Sequence, residues 1–129
     1  MIVDSDVLIW ASRGDLKAAT LLQNMDNVLI SAITYMEVIQ GTRNKRELNA
    51  FKKALKIWNA RVIPITETMC YHAMFFVETY SLSHSVSLAD ALIAATAKDL
   101  ELPLLTGNVK HYRPLPGVSV EPFIPEQGK

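Results

Sequence analysis

A single α/β domain is the fold that this sequence predicts, with a mostly parallel sheet of about five short strands flanked by helices. Two observations carry the prediction. Short apolar runs alternate with longer segments in which apolar residues recur at helical spacing, and this alternation is typical of parallel sheets covered by helices. The chain has 129 residues, of which 50% are hydrophobic, and this is enough to bury one core.

The strands are predicted where short apolar runs are bounded by polar or turn-forming residues. They fall at residues 2–4, 28–31, 61–65, 103–106 and 118–121. Pro64 has no N–H to donate, which predicts an edge position for the third of these strands.

The helices are predicted between the strands, where apolar residues recur every three or four positions. One follows the first strand directly, and the others cover residues 15–25, 32–40, 47–58, 67–80 and 87–102. Gly41 is typical of a helix end and closes the helix before it. The apolar helix at 67–80 is interpreted mainly as core, and part of it fits a dimer surface.

Composition narrows the functional classes. The 13 basic residues balance the 13 acidic ones, so net charge does not mark a nucleic-acid binder. Cys70 is the single cysteine, which excludes an intrachain disulfide, and its apolar neighbours predict a small buried side chain. No run of about 18 uncharged apolar residues and no basic leader is present, which predicts a cytoplasmic protein without a membrane span.

Three carboxylates stand in apolar surroundings. Asp4 directly follows the first apolar run. Within residues 27–42, Glu37 is the only residue that is Asp, Glu, Lys or Arg. Asp90 is the only such residue within residues 79–97. A buried carboxylate costs several kcal/mol unless it is paired, hydrogen-bonded or bound to a metal. These three acids are therefore the candidates for a structural or a chemical role.

Both kinds of role fit the sequence. Asp4 suits the N-cap of the next helix, Ser87 and Asp90 suit a capping box, and Glu37 suits a solvent-facing helix position. Alternatively, the acids form one cluster at the carboxyl edge of the parallel sheet, where ligands bind in such folds. Repelling carboxylates then require a cation, and oxygen ligands favour Mg²⁺ or Mn²⁺.

Three separated segments resemble the PIN-domain ribonucleases, in particular the VapC-type toxins of bacterial type II toxin–antitoxin pairs. They are MIVDSDVLI, SAITYMEVIQG and SLADALIAATAKDLELPLLTGNVKHY. The resemblance implies a single PIN domain over residues 1–123, a PIN-like three-layer sandwich, and leaves residues 124–129 as a C-terminal tail. It also implies a metal-dependent endoribonuclease that acts as a growth-inhibiting toxin and is neutralised by a cognate antitoxin.

The resemblance assigns roles to particular residues. Asp4, Glu37 and Asp90 align with the family's catalytic, metal-holding acids, with Glu37 acting either directly or through a water molecule. Ser5 and Thr106 align with its supporting hydrogen-bond partners. The resemblance further implies Mg²⁺ or Mn²⁺ as cofactor, RNA as substrate (transfer RNA as a family expectation) and a homodimer.

The chain departs from the family pattern at three positions. Asp6 stands where Asn is usual, and its expected role is to support the turn. Asn108 takes a position that is often acidic, so it is at most a weak metal ligand, and one tightly held ion is expected. His111 stands where many relatives have Asp, and it is expected to be a surface residue.

A basic segment follows the Glu37 helix. It reads either as a solvated helix face or as a surface that positions RNA phosphates or receives an acidic antitoxin. Its members before Arg61 are Arg43, Lys45, Arg46, Lys52, Lys53 and Lys56.

Two other functions compete with the ribonuclease. The D-x-D pattern of Asp4 and Asp6 is similar to the aspartyl-phosphate phosphatases, but the late TGNVKH segment lacks the paired acids that such enzymes need. A catalytically weak PIN scaffold that acts as a binding subunit is the second alternative, based on Asn108.

Overall fold

The sheet observed in a computed structural model, which describes residues 1–126, has five short parallel strands. They pair in the order β3-β2-β1-β4-β5, so the predicted α/β class is confirmed. The third strand lies at an edge, directly before Pro64, as the missing N–H predicts. The strands are β1 (Ile2–Val3), β2 (Leu29–Ser31), β3 (Arg61–Ile63), β4 (Leu104–Thr106) and β5 (Val120–Pro122).

Six of the seven helices within residues 1–126 begin at a residue whose side chain caps the helix, and the last helix is the exception. Asp15 accepts a hydrogen bond from the backbone N–H of Ala18, and Ser31 accepts one from Ile33. The helices are α1 (Ser5–Ser12), α2 (Leu16–Gln23), α3 (Ala32–Gln40), α4 (Lys45–Ile57), α5 (Glu67–His84), α6 (Leu88–Asp99) and α7 (Val109–Tyr112). The fifth helix is longer than the predicted 67–80 and ends where Ser85 adopts a left-handed conformation.

Two hydrophobic cores lie on opposite faces of the sheet and make the three layers. Ile2 belongs to one core and Val3 to the other, because successive residues of a strand point to opposite faces. The first core lies under α5 and α6, where the alanine-rich α6 packs against Phe76 of α5. The second core lies under α1, α2 and α4 and includes Phe51. No helix within residues 1–126 is long and apolar enough to cross a bilayer.

The prediction that Cys70 is buried is wrong. Cys70 is exposed, while its neighbour Met69 is 1% exposed. The helix α5 is apolar on both faces, so the sequence around Cys70 does not reveal which face meets the core. Its outer face also exposes Tyr71, Met74 and Phe75. The homodimer stays a prediction.

The loop beyond β4 is held against the start of α1. The backbone N–H of Gly107 donates to Asp6 Oδ2 at 2.8 Å. A Cβ at Gly107 would lie 2.7 Å from that oxygen and 3.2 Å from the carbonyl oxygen of Phe123, so this close approach requires glycine. The contact fixes the segment from Thr106 to Asn108 beside the first strand.

Candidate active site

Asp4 is placed by two neighbouring strands. It follows β1, and its carboxylate accepts a hydrogen bond at 2.7 Å from Thr106 Oγ1 at the end of β4. The other oxygen accepts the backbone N–H of Ser5 at 2.8 Å and caps α1. The residue is 2% exposed, and burial raises the pKa of its carboxyl against these hydrogen bonds. The capping interpretation and the site interpretation of Asp4 therefore both hold.

Glu37 reaches Asp4 through Ser5. The Ser5 Oγ donates to Glu37 Oε1 at 3.1 Å and lies 3.4 Å from Asp4 Oδ1. Glu37 is exposed, as its solvent-facing interpretation predicts. Its pKa is nevertheless raised by partial desolvation of the carboxylate, and the charges of Asp4 and Asp90 add to the shift. The carboxylate is thus part of the same electrostatic site as Asp4.

Asp90 belongs both to a helix cap and to the site. Its backbone N–H donates to Ser87 Oγ at 3.1 Å, and the Ser87 N–H approaches Asp90 Oδ2 at 3.4 Å, which forms the predicted capping box. The same carboxylate accepts the hydroxyl of Tyr112 on Oδ1 at 3.2 Å. His111 Nδ1 lies 3.2 Å from Oδ2. The cap therefore orients Asp90 without withdrawing it from the site.

The three acids are linked indirectly. Ser5 joins Asp4 to Glu37, the Tyr112 hydroxyl donates to Asp90, and the charge of Asp90 raises the pKa of both other acids. Within residues 1–126, no three Asp, Glu, His or Cys side chains converge into a preformed metal cage. No lysine or arginine there forms an ion pair with these acids. Oxygen donors with this uncompensated negative charge fit a hard divalent cation.

The three unusual positions surround this cluster. Asp6 accepts the Gly107 N–H on one oxygen, while its other oxygen is buried without a hydrogen-bond partner. Burial, with the nearby charge of Asp4, raises the pKa of Asp6 to about 6. Asn108 is exposed and donates its backbone N–H to Thr106 Oγ1 at 2.9 Å. His111 is partly exposed, as expected of a surface residue, but it also contacts Asp90.

Tyr112 is the site residue that sequence reasoning misses. It is fully buried, and its hydroxyl contacts Asp90. Its neighbours in the sequence give little signal, because a tyrosine after a strand is equally typical of core packing. The useful clue is that a buried tyrosine hydroxyl needs a polar partner.

The basic residues of α4 lie away from the acidic cluster. A groove of about 730 Å³ opens beside Glu37 and is lined on α4 by Glu47, Ala50, Phe51, Ala54 and Trp58. At about 100° per residue, five basic positions fall on the far side of the helix, and all five are exposed. They are Lys45, Arg46, Lys52, Lys53 and Lys56.

Arg43 is the exception among the predicted basic residues. It lines the groove and pairs with Glu47 at 2.7 Å. RNA contact by the basic residues stays a prediction, and the structure separates Arg43 from the other five.

A parallel sheet with an acidic cluster at its carboxyl edge defines an α/β protein with a candidate hydrolytic site. The model of one family, described as PIN domain, matches residues 1–114. The chain belongs to the PIN domain family.

Its relatives agree with this assignment. Ribonuclease VapC10 of Mycobacterium tuberculosis is 34% identical over 116 residues, which cover 87% of this chain and 85% of that protein. Ribonuclease VapC19 of the same organism is 30% identical over 122 residues, covering 89% of this chain and 94% of that protein. The resemblance noted in the sequence is therefore confirmed.

Solved structures share the fold. A chain of a toxin–antitoxin complex from Klebsiella pneumoniae superposes with a TM-score of 0.76 at 28% identity, covering 95% of this chain and 97% of that chain. VapBC-1 from nontypeable Haemophilus influenzae superposes with a TM-score of 0.76 at 22% identity, covering 94% of this chain and 96% of that chain. The predicted PIN-like sandwich is confirmed.

Proposed function

We propose that this protein is a Mg²⁺- or Mn²⁺-dependent endoribonuclease and the toxin of a toxin–antitoxin pair. The observation that carries the proposal is the placement of Asp4, Glu37 and Asp90, which come from three separate elements, in one electrostatic site, with Ser5 hydrogen-bonded to Glu37 and Tyr112 to Asp90. Membership of the PIN family and relatives named ribonucleases support it.

Asp4 and Asp90 would hold the cation, with Glu37 acting directly or through a water molecule. When bound, the ion would neutralise part of the charge that develops on the phosphate and would lower the pKa of water at the site. Asn108 remains a candidate weak ligand through its side-chain oxygen.

The protein's own groups organise the hydrolysis. Glu37 accepts the proton of the attacking water, and its raised pKa makes it a better base near neutral pH. Ser5 orients Glu37, while Thr106 and Ser5 fix the two oxygens of Asp4. Water attacks the phosphorus, the bond to the 3′ oxygen breaks, and the products carry a 5′-phosphate and a 3′-hydroxyl.

A cognate antitoxin is the protein partner in this proposal. Two of the fold's neighbours are toxin–antitoxin complexes, which supports such a partner. The groove beside Glu37 has apolar walls from Leu8, Phe51 and Trp58 and a charged rim that includes Arg43. An apolar segment of the antitoxin in this groove would cover the approach to the acids.

The phosphatase alternative is not favoured. That chemistry needs Asp6 as a second acid facing the substrate. Asp6 instead binds the backbone of Gly107 and holds the loop after β4. The catalytically weak scaffold differs from the ribonuclease only in activity, so an assay separates the two.

Asp4→Asn is expected to lower the rate of cleavage of a structured RNA in Mg²⁺ by at least about 100-fold. Asparagine keeps the size of the side chain and an oxygen that caps α1, so the fold should survive. The assay compares the wild type with the variant after identical purification. Equal cleavage by both proteins would assign the activity to a contaminant, and a wild type inert on every RNA would favour the scaffold.

A further inference from the structure

Tyr112 lies beside the acidic cluster. Its side chain is fully buried at the end of α7, the short helix that follows the loop held by Asp6. Its hydroxyl donates to Asp90 Oδ1 at 3.2 Å. The hydroxyl thus ties the acid on α6 to the packed ring of Tyr112.

The charge of the hydrogen-bond donor matters at this position. A tyrosine hydroxyl is a neutral donor at neutral pH, since the usual pKa of tyrosine is about 10. A lysine or arginine here could also hold Asp90, but its charge would repel a cation. The neutral hydroxyl leaves the negative charge of Asp90 in place, and the carboxylate keeps further lone pairs for a metal ligand bond.

Asp90 is also held on its other oxygen, by His111 Nδ1 at 3.2 Å. His111 is partly exposed, whereas the Tyr112 ring is packed in the first core. The two contacts therefore differ in rigidity: the histidine can move into solvent, and the tyrosine is fixed by its surroundings. The fixed contact is the one that can set the direction of the carboxylate.

We propose that Tyr112 is a positioning residue, whose hydroxyl holds the Asp90 carboxylate in the orientation that binds a divalent cation. The inference rests on the proposed metal-dependent function and adds to it a residue outside the acidic set. Its role is to set the affinity for the ion, while the chemical step belongs to the acids.

The test is a calorimetric titration of the full-length protein with Mn²⁺ in the absence of RNA. Tyr112→Phe keeps the ring and removes the hydroxyl, and it should weaken Mn²⁺ binding about 10- to 100-fold, as loss of an outer-sphere partner does. Tyr80→Phe, on α5, is the matched control and should bind as the wild type does. Thermal unfolding of both variants in chelator is measured beside the titration, because a general structural defect in Tyr112→Phe would lower its unfolding temperature, whereas weakened metal binding alone would not.

A second measurement uses the unmodified protein in case Tyr112→Phe does not fold. With ¹³C label at the tyrosine Cζ, the Tyr112 signal should shift during a Mg²⁺ titration with the same midpoint as binding, while Tyr71 and Tyr80 on α5 stay unchanged. A wild type that binds Mn²⁺ no better than Tyr112→Phe, or a Tyr112 signal indifferent to bound Mg²⁺, would overturn this inference and leave the metal site standing. A wild type that binds no Mn²⁺ would overturn the metal site and the inference together.

Discussion

Asp90→Asn is expected to reduce the rate of RNA cleavage by at least about 100-fold without unfolding the protein. The substitution removes the negative charge and keeps one side-chain oxygen, which can accept the Ser87 N–H, while the new amide nitrogen can donate to the Tyr112 oxygen. Rate and thermal unfolding are measured on the same preparation. A large loss of rate at an unchanged unfolding temperature would place Asp90 in the chemistry.

Ser87→Ala is the control for the cap. It removes the hydroxyl that accepts the Asp90 N–H and leaves the Asp90 carboxylate intact. The loss of such a cap costs about 1 kcal/mol of unfolding free energy, so stability should fall while the rate stays within a few-fold of the wild type. If Ser87→Ala were as inactive as Asp90→Asn, the importance of Asp90 would lie in the helix start.

Asp6→Asn is expected to stabilise the metal-free protein at neutral pH. The folded-state pKa of Asp6 is about 6, above the unfolded value of 3.8. Because the pKa is higher in the folded state, protonation of this carboxyl favours folding. Its contribution to the unfolding free energy is fully present below pH 3.8 and is lost as the pH rises through about 6. The full pKa shift of Asp6 corresponds to about 3 kcal/mol of unfolding free energy. In the variant, the buried amide nitrogen of the asparagine lacks a hydrogen-bond partner, and this offsets part of the gain. The expected net gain at pH 7.5 is about 1–2 kcal/mol.

Urea unfolding in chelator, at pH 7.5 and near pH 4, measures this effect. The gain from Asp6→Asn should be present at pH 7.5 and vanish near pH 4, where the wild-type carboxyl is protonated. The exposed Asp26 provides the control, since Asp26→Asn should change little at either pH. A gain of equal size at both pH values would contradict the assignment of the cost to the buried charge of Asp6.

The sequence predicts most of the fold because its local signals agree with one another. Short apolar runs give the strands, Asp15 and Ser31 give helix starts, and Pro64 gives the sheet edge. Cys70 shows where this reasoning fails. In a helix that is apolar all round, the choice of the buried face depends on the partner that packs against it, and the sequence around the residue does not contain that partner.

The candidate site likewise contains residues that the sequence reveals and one that it does not. Asp4, Glu37 and Asp90 are conspicuous because an isolated charge among apolar residues needs a reason, and strand ends bring such residues to one edge. Tyr112 is not conspicuous, since its ring alone explains its presence in the core. Its hydroxyl gains a functional interpretation only when α7 folds back and places it against Asp90.

The most direct test of the central claim is the reversal of RNA cleavage by a chelator. The claim is that the acids at the sheet edge hold a divalent cation on which hydrolysis depends. Purified wild type is treated with EDTA, assayed on a structured RNA, and assayed again as Mn²⁺ or Mg²⁺ is added in excess. We predict no cleavage in EDTA and a saturable return of the rate with added metal. Cleavage that continues unchanged in EDTA would contradict the claim.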